Sequence, residues 1–169
     1  MPTGLKQSSS VVSIGFESLE TGANTFNQAS VDLNLSPLDR EVFVVLAINL
    51  DPQTPDAVAG TNTSVSSSLT TTSQTAVVGL DNANCLAHAS QAIKSSAPTN
   101  AVAFQSLGIE TPPATLDYIG IIATNDFFVQ IKGTANTAAK FVRGKLYGYR
   151  AVASADIYAA LVQSEVLSA

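Results

Sequence analysis

LDYIGIIATNDFFVQIKGTANTAAKFVRGKLYGYR, residues Leu116–Arg150, decides the fold. It reads as three consecutive strands, the central meander of a β-sandwich. Leu116–Ala123 is almost wholly apolar and ends at a polar turn, Thr124-Asn125-Asp126. Phe127–Lys132 then alternates, with Phe127, Val129 and Ile131 on one face and Phe128, Gln130 and Lys132 on the other. Period-two alternation between turn residues predicts a half-buried strand. In Phe141–Arg150, Val142 and Leu146 point inward, and Arg143, Lys145, Tyr147 and Tyr149 outward. Gly144 and Gly148 fall on the inner face, where a neighbouring layer can approach closely.

Working outward from this stretch, Val11–Leu19 and Ser30–Leu35 alternate as strands. Glu41–Leu50 places Val42, Val44, Leu46, Ile48 and Leu50 on one apolar face, with Phe43 and Val45 adding grease to the other. A strand apolar on both sides belongs between two layers. Gly60–Thr75 is rich in Ser, Thr and Asn, and predicts an ordered, exposed excursion that includes an edge strand. Asp81 is placed to cap a short internal helix running to about Ser95, stopped by Pro98. Asn100–Leu107 predicts another strand, ended by Thr111-Pro112-Pro113. Ser154 can cap a C-terminal helix with Asp156 in its first turn. The fold class expected is mainly β: an antiparallel two-sheet sandwich or jelly roll, with one internal and one C-terminal helix. Residues 1–9 read as a flexible arm and 10–169 as a single domain.

Charged residues make up 12% of the chain against 46% hydrophobic, about half the usual charged share. So few charges leave a lone monomer short of solubilising surface, so that partners or other copies are expected to cover part of it. Thirteen acidic residues outnumber eight basic ones, and direct, strong nucleic-acid binding is not expected. A single cysteine, Cys85, excludes an intrachain disulfide. MPTGLKQSSS lacks the apolar core of a secretion signal. The closing helix is apolar around most of its circumference, through Ile157, Tyr158, Leu161, Val162 and Val166. Such a helix is buried from several sides, and a second protomer is the expected cover.

Chemistry-bearing patterns are sparse. Cys85 and His88, the only histidine, would face each other on a helix as a thiolate–imidazole pair or half a metal site, but ordinary helix packing explains them better. Asp51, Asp56 and Asp81 lack the spacing of a Ca²⁺ loop and suit turns and helix capping. Arg143, Lys145, Tyr147 and Tyr149 could form a stacking-plus-phosphate platform, yet a sheet face covered by a neighbouring subunit fits the acidic balance better. Two glycosylation sequons, beginning at Asn34 and Asn62, read as chance. No catalytic, cofactor or metal residues are assigned. The expected subunit interface comprises Arg143, Lys145, Tyr147, Tyr149, Ile157, Tyr158, Leu161, Val162 and Val166.

REVFVVLAINLDPQTPD, LDYIGIIATNDFFVQIKG, VRGKLYGYRA and the closing ADIYAALVQSE resemble, in their order, the single jelly-roll coat proteins of small tailless icosahedral viruses. The resemblance implies a non-enzymatic coat subunit found in the virion and assembled in the host cytoplasm. Its sandwich would build the shell wall, and its partners would be other copies of itself. Residues 1–10 hold only Lys6, unlike coats that package RNA on a basic arm. The genome would then be neutralised by a second coat or internal protein, or set apart by an internal membrane. The alternative function is a carbohydrate- or surface-binding module of adhesin or spike type, in which four tyrosines replace the missing tryptophan. A small hydrolase using Cys85 and His88 is a third.

Overall fold

The computed structural model describes residues 2–97, 99–107, 109–110 and 115–168. Two antiparallel sheets form a sandwich, with one helix at the C-terminus. Sheet A holds β1 (Leu5–Gln7), β2 (Val12–Leu19), β4 (Glu41–Pro52), β8 (Ile109–Glu110), β9 (Gly120–Ile122) and β11 (Phe141–Ala153). In it β11 pairs with β4, flanked on one side by β2 and β1 and on the other by β9 and β8. Sheet B has the order β3-β10-β5-β6-β7, from β3 (Asn27–Asp32), β10 (Asp126–Thr134), β5 (Thr63–Thr70), β6 (Cys85–Ala97) and β7 (Asn100–Leu107). The helix α1 spans Ala155–Leu167.

The deciding stretch does contain three strands, but they are no meander. β9 lies in sheet A, β10 in sheet B and β11 in sheet A, so each connection crosses the sandwich. The alternation is as expected: Phe127, Val129, Ile131, Val142 and Leu146 are fully buried between the sheets. Gly144 and Gly148 sit on that inner face, although what crowds them comes from their own sheet. A Cβ at Gly144 would strike the Asn49 carbonyl and the Phe16 ring, and one at Gly148 the Val44 carbonyl and the Phe43 ring. Phe16 then meets Phe127 of the opposite sheet edge-on at 5.6 Å, so Gly144 makes room for the aromatic pair that joins the layers, and Gly148 for Phe43.

Within β4 the expected single apolar face is broken. The register against β11 slips between Tyr147 and Gly148, whose partners are Ala47 and Val45. One extra residue in a strand reverses its side-chain parity. The inner face is therefore Phe43, Val45, Ile48 and Leu50, while Val42 and Val44 face outward into a second cluster. β4 is apolar on both sides for the reason anticipated: it lies between sheet B and a third layer, α1.

Two segments differ in kind. The Ser/Thr-rich run forms β5, which is central to sheet B rather than an edge, and Thr63, Ser67, Ser68 and Thr70 are buried. The expected internal helix over 81–95 is instead β6, between β5 and β7; its stop at Pro98 lies outside the described residues, as does the Thr111–Pro113 break. Small Ala87 and Ala89 face the core there, where a tightly packed sheet overrides the helix preference of alanine. Residues 5–7 of the N-terminal stretch add β1 to the edge of β11, with Leu5 buried.

Candidate assembly surfaces

The outer face of sheet A has a covered half and a bare half. Over the covered half, Val42, Val44, Tyr149, Ala151 and Ala153 form an apolar floor, and α1 lays Ile157, Tyr158, Leu161 and Val162 on it. Ser154 occupies the N-cap position in extended conformation, although its hydroxyl makes no capping bond; Asp156 sits in the first turn, as expected. Gly4, with φ +81, passes directly under the Ile157 side chain, where any Cβ would collide. Tyr149, expected at a subunit interface, lies beneath its own helix, where burial pushes its phenol above the usual range and the nearby Asp117 charge adds to the shift.

Glu165 completes this docking. Its buried carboxyl accepts hydrogen bonds from Ala123 N at 2.8 Å and Thr124 N at 2.9 Å, pinning the last turns of α1 to the β9–β10 connection. Burial pushes its carboxyl above the usual range, against the amide bonds that favour the ionised form. Sequence reasoning missed Glu165. The available signal was its place four residues after Leu161, on the stripe that meets the sheet.

Docking leaves the helix partly uncovered. Ile157, Tyr158, Leu161 and Val162 are only part-buried, and Val166 and Leu167 are 60% and 75% exposed. The bare half of sheet A carries Arg143, Lys145 and Tyr147 over a shallow depression that also includes Asn49 and Asp51. Arg143 Nε donates to the Glu17 carboxylate, and its guanidinium lies 4.1 Å from the Phe141 ring centre. With Glu17 and Asp51 beside it, this face has mixed charge and offers no cationic track for a phosphate backbone. Thus Arg143, Lys145 and Tyr147 share one open surface and Val166 lies on another, whereas Ile157, Tyr158, Leu161 and Val162 meet the sheet, where they also cover Tyr149.

Sheet B is finished differently. The 71–84 connection folds across its outer face, where Val78 N donates to Ser68 Oγ at 3.2 Å and Gln74 N to Gln28 Oε1 at 2.8 Å. Beneath it Gln130, fully buried, accepts from Ser68 Oγ at 2.7 Å and donates to Thr70 Oγ1 and Gln28 Oε1. His88 and Cys85, read together as a helical pair, lie on a strand. His88 Nδ1 is 2.9 Å from the Val78 carbonyl oxygen, so that nitrogen carries the proton and donates. Cys85 Sγ is 4.0 Å from the same oxygen. His88 thus helps to fasten the covering loop, while the Cys85 thiol has a nearer acceptor in Ala87 O at 3.3 Å. Among the described residues, no group of three or more His, Cys, Asp or Glu is arranged to hold a metal ion.

Of the three aspartates considered for Ca²⁺, Asp56 is engaged otherwise. Its carboxylate accepts from Lys140 Nζ, Thr137 N, Thr137 Oγ1 and Ala138 N, and the bonds from Lys140, foremost, and from Thr137 hold its pKa far below the usual range. Lys140 is itself buried, and the pair ties the approach to β5 to the β10–β11 connection.

No family model and no curated protein matches the chain. Among solved structures it is similar to a chain described as Desmodium yellow mottle tymovirus. The two are 14% identical, and the match covers 92% of this chain and 95% of that one. The TM-score is 0.30, and at that level the likeness carries no argument.

Proposed function

We propose that this chain is a structural, non-enzymatic subunit that assembles with copies of itself, as the major capsid subunit of an icosahedral virus. One observation carries the proposal: α1 docks one stripe on its own sheet and still presents Val166 and Leu167 to solvent. Burying such side chains is worth about 1.5–3 kcal/mol each, a gain a neighbouring subunit would supply. The strand order β2-β11-β4-β9 facing β3-β10-β5-β6, with most connections crossing between sheets, supports a single jelly roll. In this proposal residues 10–169 form one domain and residues 1–9 an arm laid along it.

The subunit contacts would use Ile157, Tyr158, Leu161, Val162 and Val166 on the helix, with Arg143, Lys145 and Tyr147 on the bare sheet face. Tyr149 would act from beneath, fixing the height of α1. The assembled state is a virion formed in the host cytoplasm. The acidic balance suits a genome neutralised by another protein or enclosed by an internal membrane.

Electron microscopy and sedimentation of the purified chain test the proposal. Closed particles or defined capsomers are expected. Val166→Asp combined with Leu167→Asp should leave a folded subunit that no longer assembles, because both positions are already exposed. A wild-type chain that stays monomeric across concentration and salt would overturn it.

A further inference from the structure

β7 closes sheet B, and among the described residues no strand pairs with its free side. Residues 101–106 are all exposed, with Val102 and Phe104 at 57% and 56% on the same face. The strand, NAVAFQSL, contains no charge, no proline and no glycine. Charge and proline are devices by which exposed edges avoid pairing with another chain. Other edges of the sandwich do carry them. β2 presents Glu17 paired with Arg143, and β3 ends in Asp32 while Asn27 and Gln28 are tied to Leu19 O and Ser73 Oγ.

We infer that β7 pairs antiparallel with β7 of a second copy, across a two-fold axis through Ala103, joining two five-stranded sheets into one. This deepens the shell proposal above and rests on it. A two-fold axis normal to the sheet keeps each face on its own side, so opposed residues must have the same parity. Centring on Ala103 sets Val102 against Phe104 of the second copy twice over, a β-branched residue against an aromatic, the pairing that stabilises sheets. Ala101 then faces Gln105, and Asn100 faces Ser106. Centring on Phe104 would pair that ring with its copy but oppose Val102 to Ser106, and centring on Val102 would pair the valines but oppose Phe104 to Asn100, so either shift exchanges two valine–phenylalanine pairs for one apolar pair.

The occupant is a copy of this chain because the strand complements itself. It also has no charge with which to select a foreign partner. On a chain of net charge −5, it is a place where two copies meet without like charges in contact. Lys94 stands opposite Val102 on β6, so both β7 strands separate it from its counterpart. A two-strand junction is smaller than the roughly 1,200–2,000 Å² of a self-sufficient interface, which makes it one contact of a many-contact assembly.

Register-specific cross-linking tests this in a Cys85→Ser background, at assembling concentration. Directly opposed antiparallel residues have Cα atoms about 4.5–5.5 Å apart, within disulfide reach of about 4.4–6.8 Å. Ala103→Cys should therefore give an oxidised dimer on a non-reducing gel. Ala101→Cys should not, since the two cysteines would be about 13 Å apart along the strand. Adding Phe104→Lys to Ala103→Cys should lower the dimer yield at least tenfold. Equal cross-linking at 101 and 103, or none at either, overturns the inference. Particles without the 103 cross-link sink the edge pairing and keep the shell, whereas the cross-link without particles does the reverse.

Discussion

β5 and β7 are both eight residues long and flank the same strand, β6, yet their sequences and surroundings are exchanged. TSVSSSLT holds six hydroxyl residues at the centre of sheet B, while NAVAFQSL places a phenylalanine and a valine on its open edge. Hydropathy of the strand itself does not decide which goes inside. What decides is whether both faces are covered and every buried polar atom is bonded. For β5 they are: Ser67 Oγ donates to Ala89 O, Ser68 Oγ to Gln130, Thr70 Oγ1 to Thr72 O and Thr63 Oγ1 to Asp56 O. Small hydroxyl side chains let the 71–84 connection lie close on one side and sheet A on the other.

The contrast is broken most sharply at Leu69, the core anchor of β5. Leu69→Ala should cost about 2–5 kcal/mol in urea unfolding, the range for a truncated buried leucine. A loss under 1 kcal/mol would mean that β5 is not central. Next in size is the polar seam. Gln130→Ala removes the partner shared by Ser68, Thr70 and Gln28, and should cost about 1–3 kcal/mol for the groups stranded behind it. Gln130→Leu should not rescue it, since the buried Ser68 hydroxyl still loses the acceptor for its proton.

A smaller effect follows pH. The Asp56 carboxylate, ahead of β5, accepts from Lys140 and Thr137, and its folded pKa lies below the ordinary 3.8. With a depressed folded value, the unfolded chain binds the proton first. The stabilisation is thus complete above the ordinary aspartate range and fades as pH falls through and below it. Wild type should exceed Asp56→Asn in urea midpoint at pH 7, and the gap should close on acidification. A gap constant down to pH 2 would show that Asp56 contributes no charge-dependent stability.

Legibility in the sequence followed the same divide. Alternation in β10 and β11 marked strands with one buried face, β4 was evident from its grease on both sides, and the apolar C-terminal helix was evident from Ile157 to Val166. β5 was not legible: its burial depends on Gln130 and Gln28, which lie 62 and 40 positions away from Ser68 in the chain. β6 was misread because Ala, Leu and Gln favour helices locally, and only pairing with β5 and β7 makes a strand. Of the residues expected at an interface, the Arg143–Tyr147 face was visible as outward charge, and the apolar run of α1 as a helix that must cover something. That Tyr149 is covered by its own helix could not be read, because the sequence does not say where α1 lands.

The smallest effect belongs to β7, and it is the most discriminating. Phe104 is more than half exposed and packs against no buried cluster, so Phe104→Ser should change the unfolding free energy of the dispersed subunit by no more than about 0.5 kcal/mol. The same change in β5 geometry would be ruinous, as Leu69 illustrates. If Phe104→Ser instead destabilised the dispersed subunit by about 2 kcal/mol, its ring would have to be covered within one chain, and the edge would have nothing left to offer a second. Urea titration at concentrations too low for assembly separates the two cases, because any contribution from a neighbouring copy is then absent.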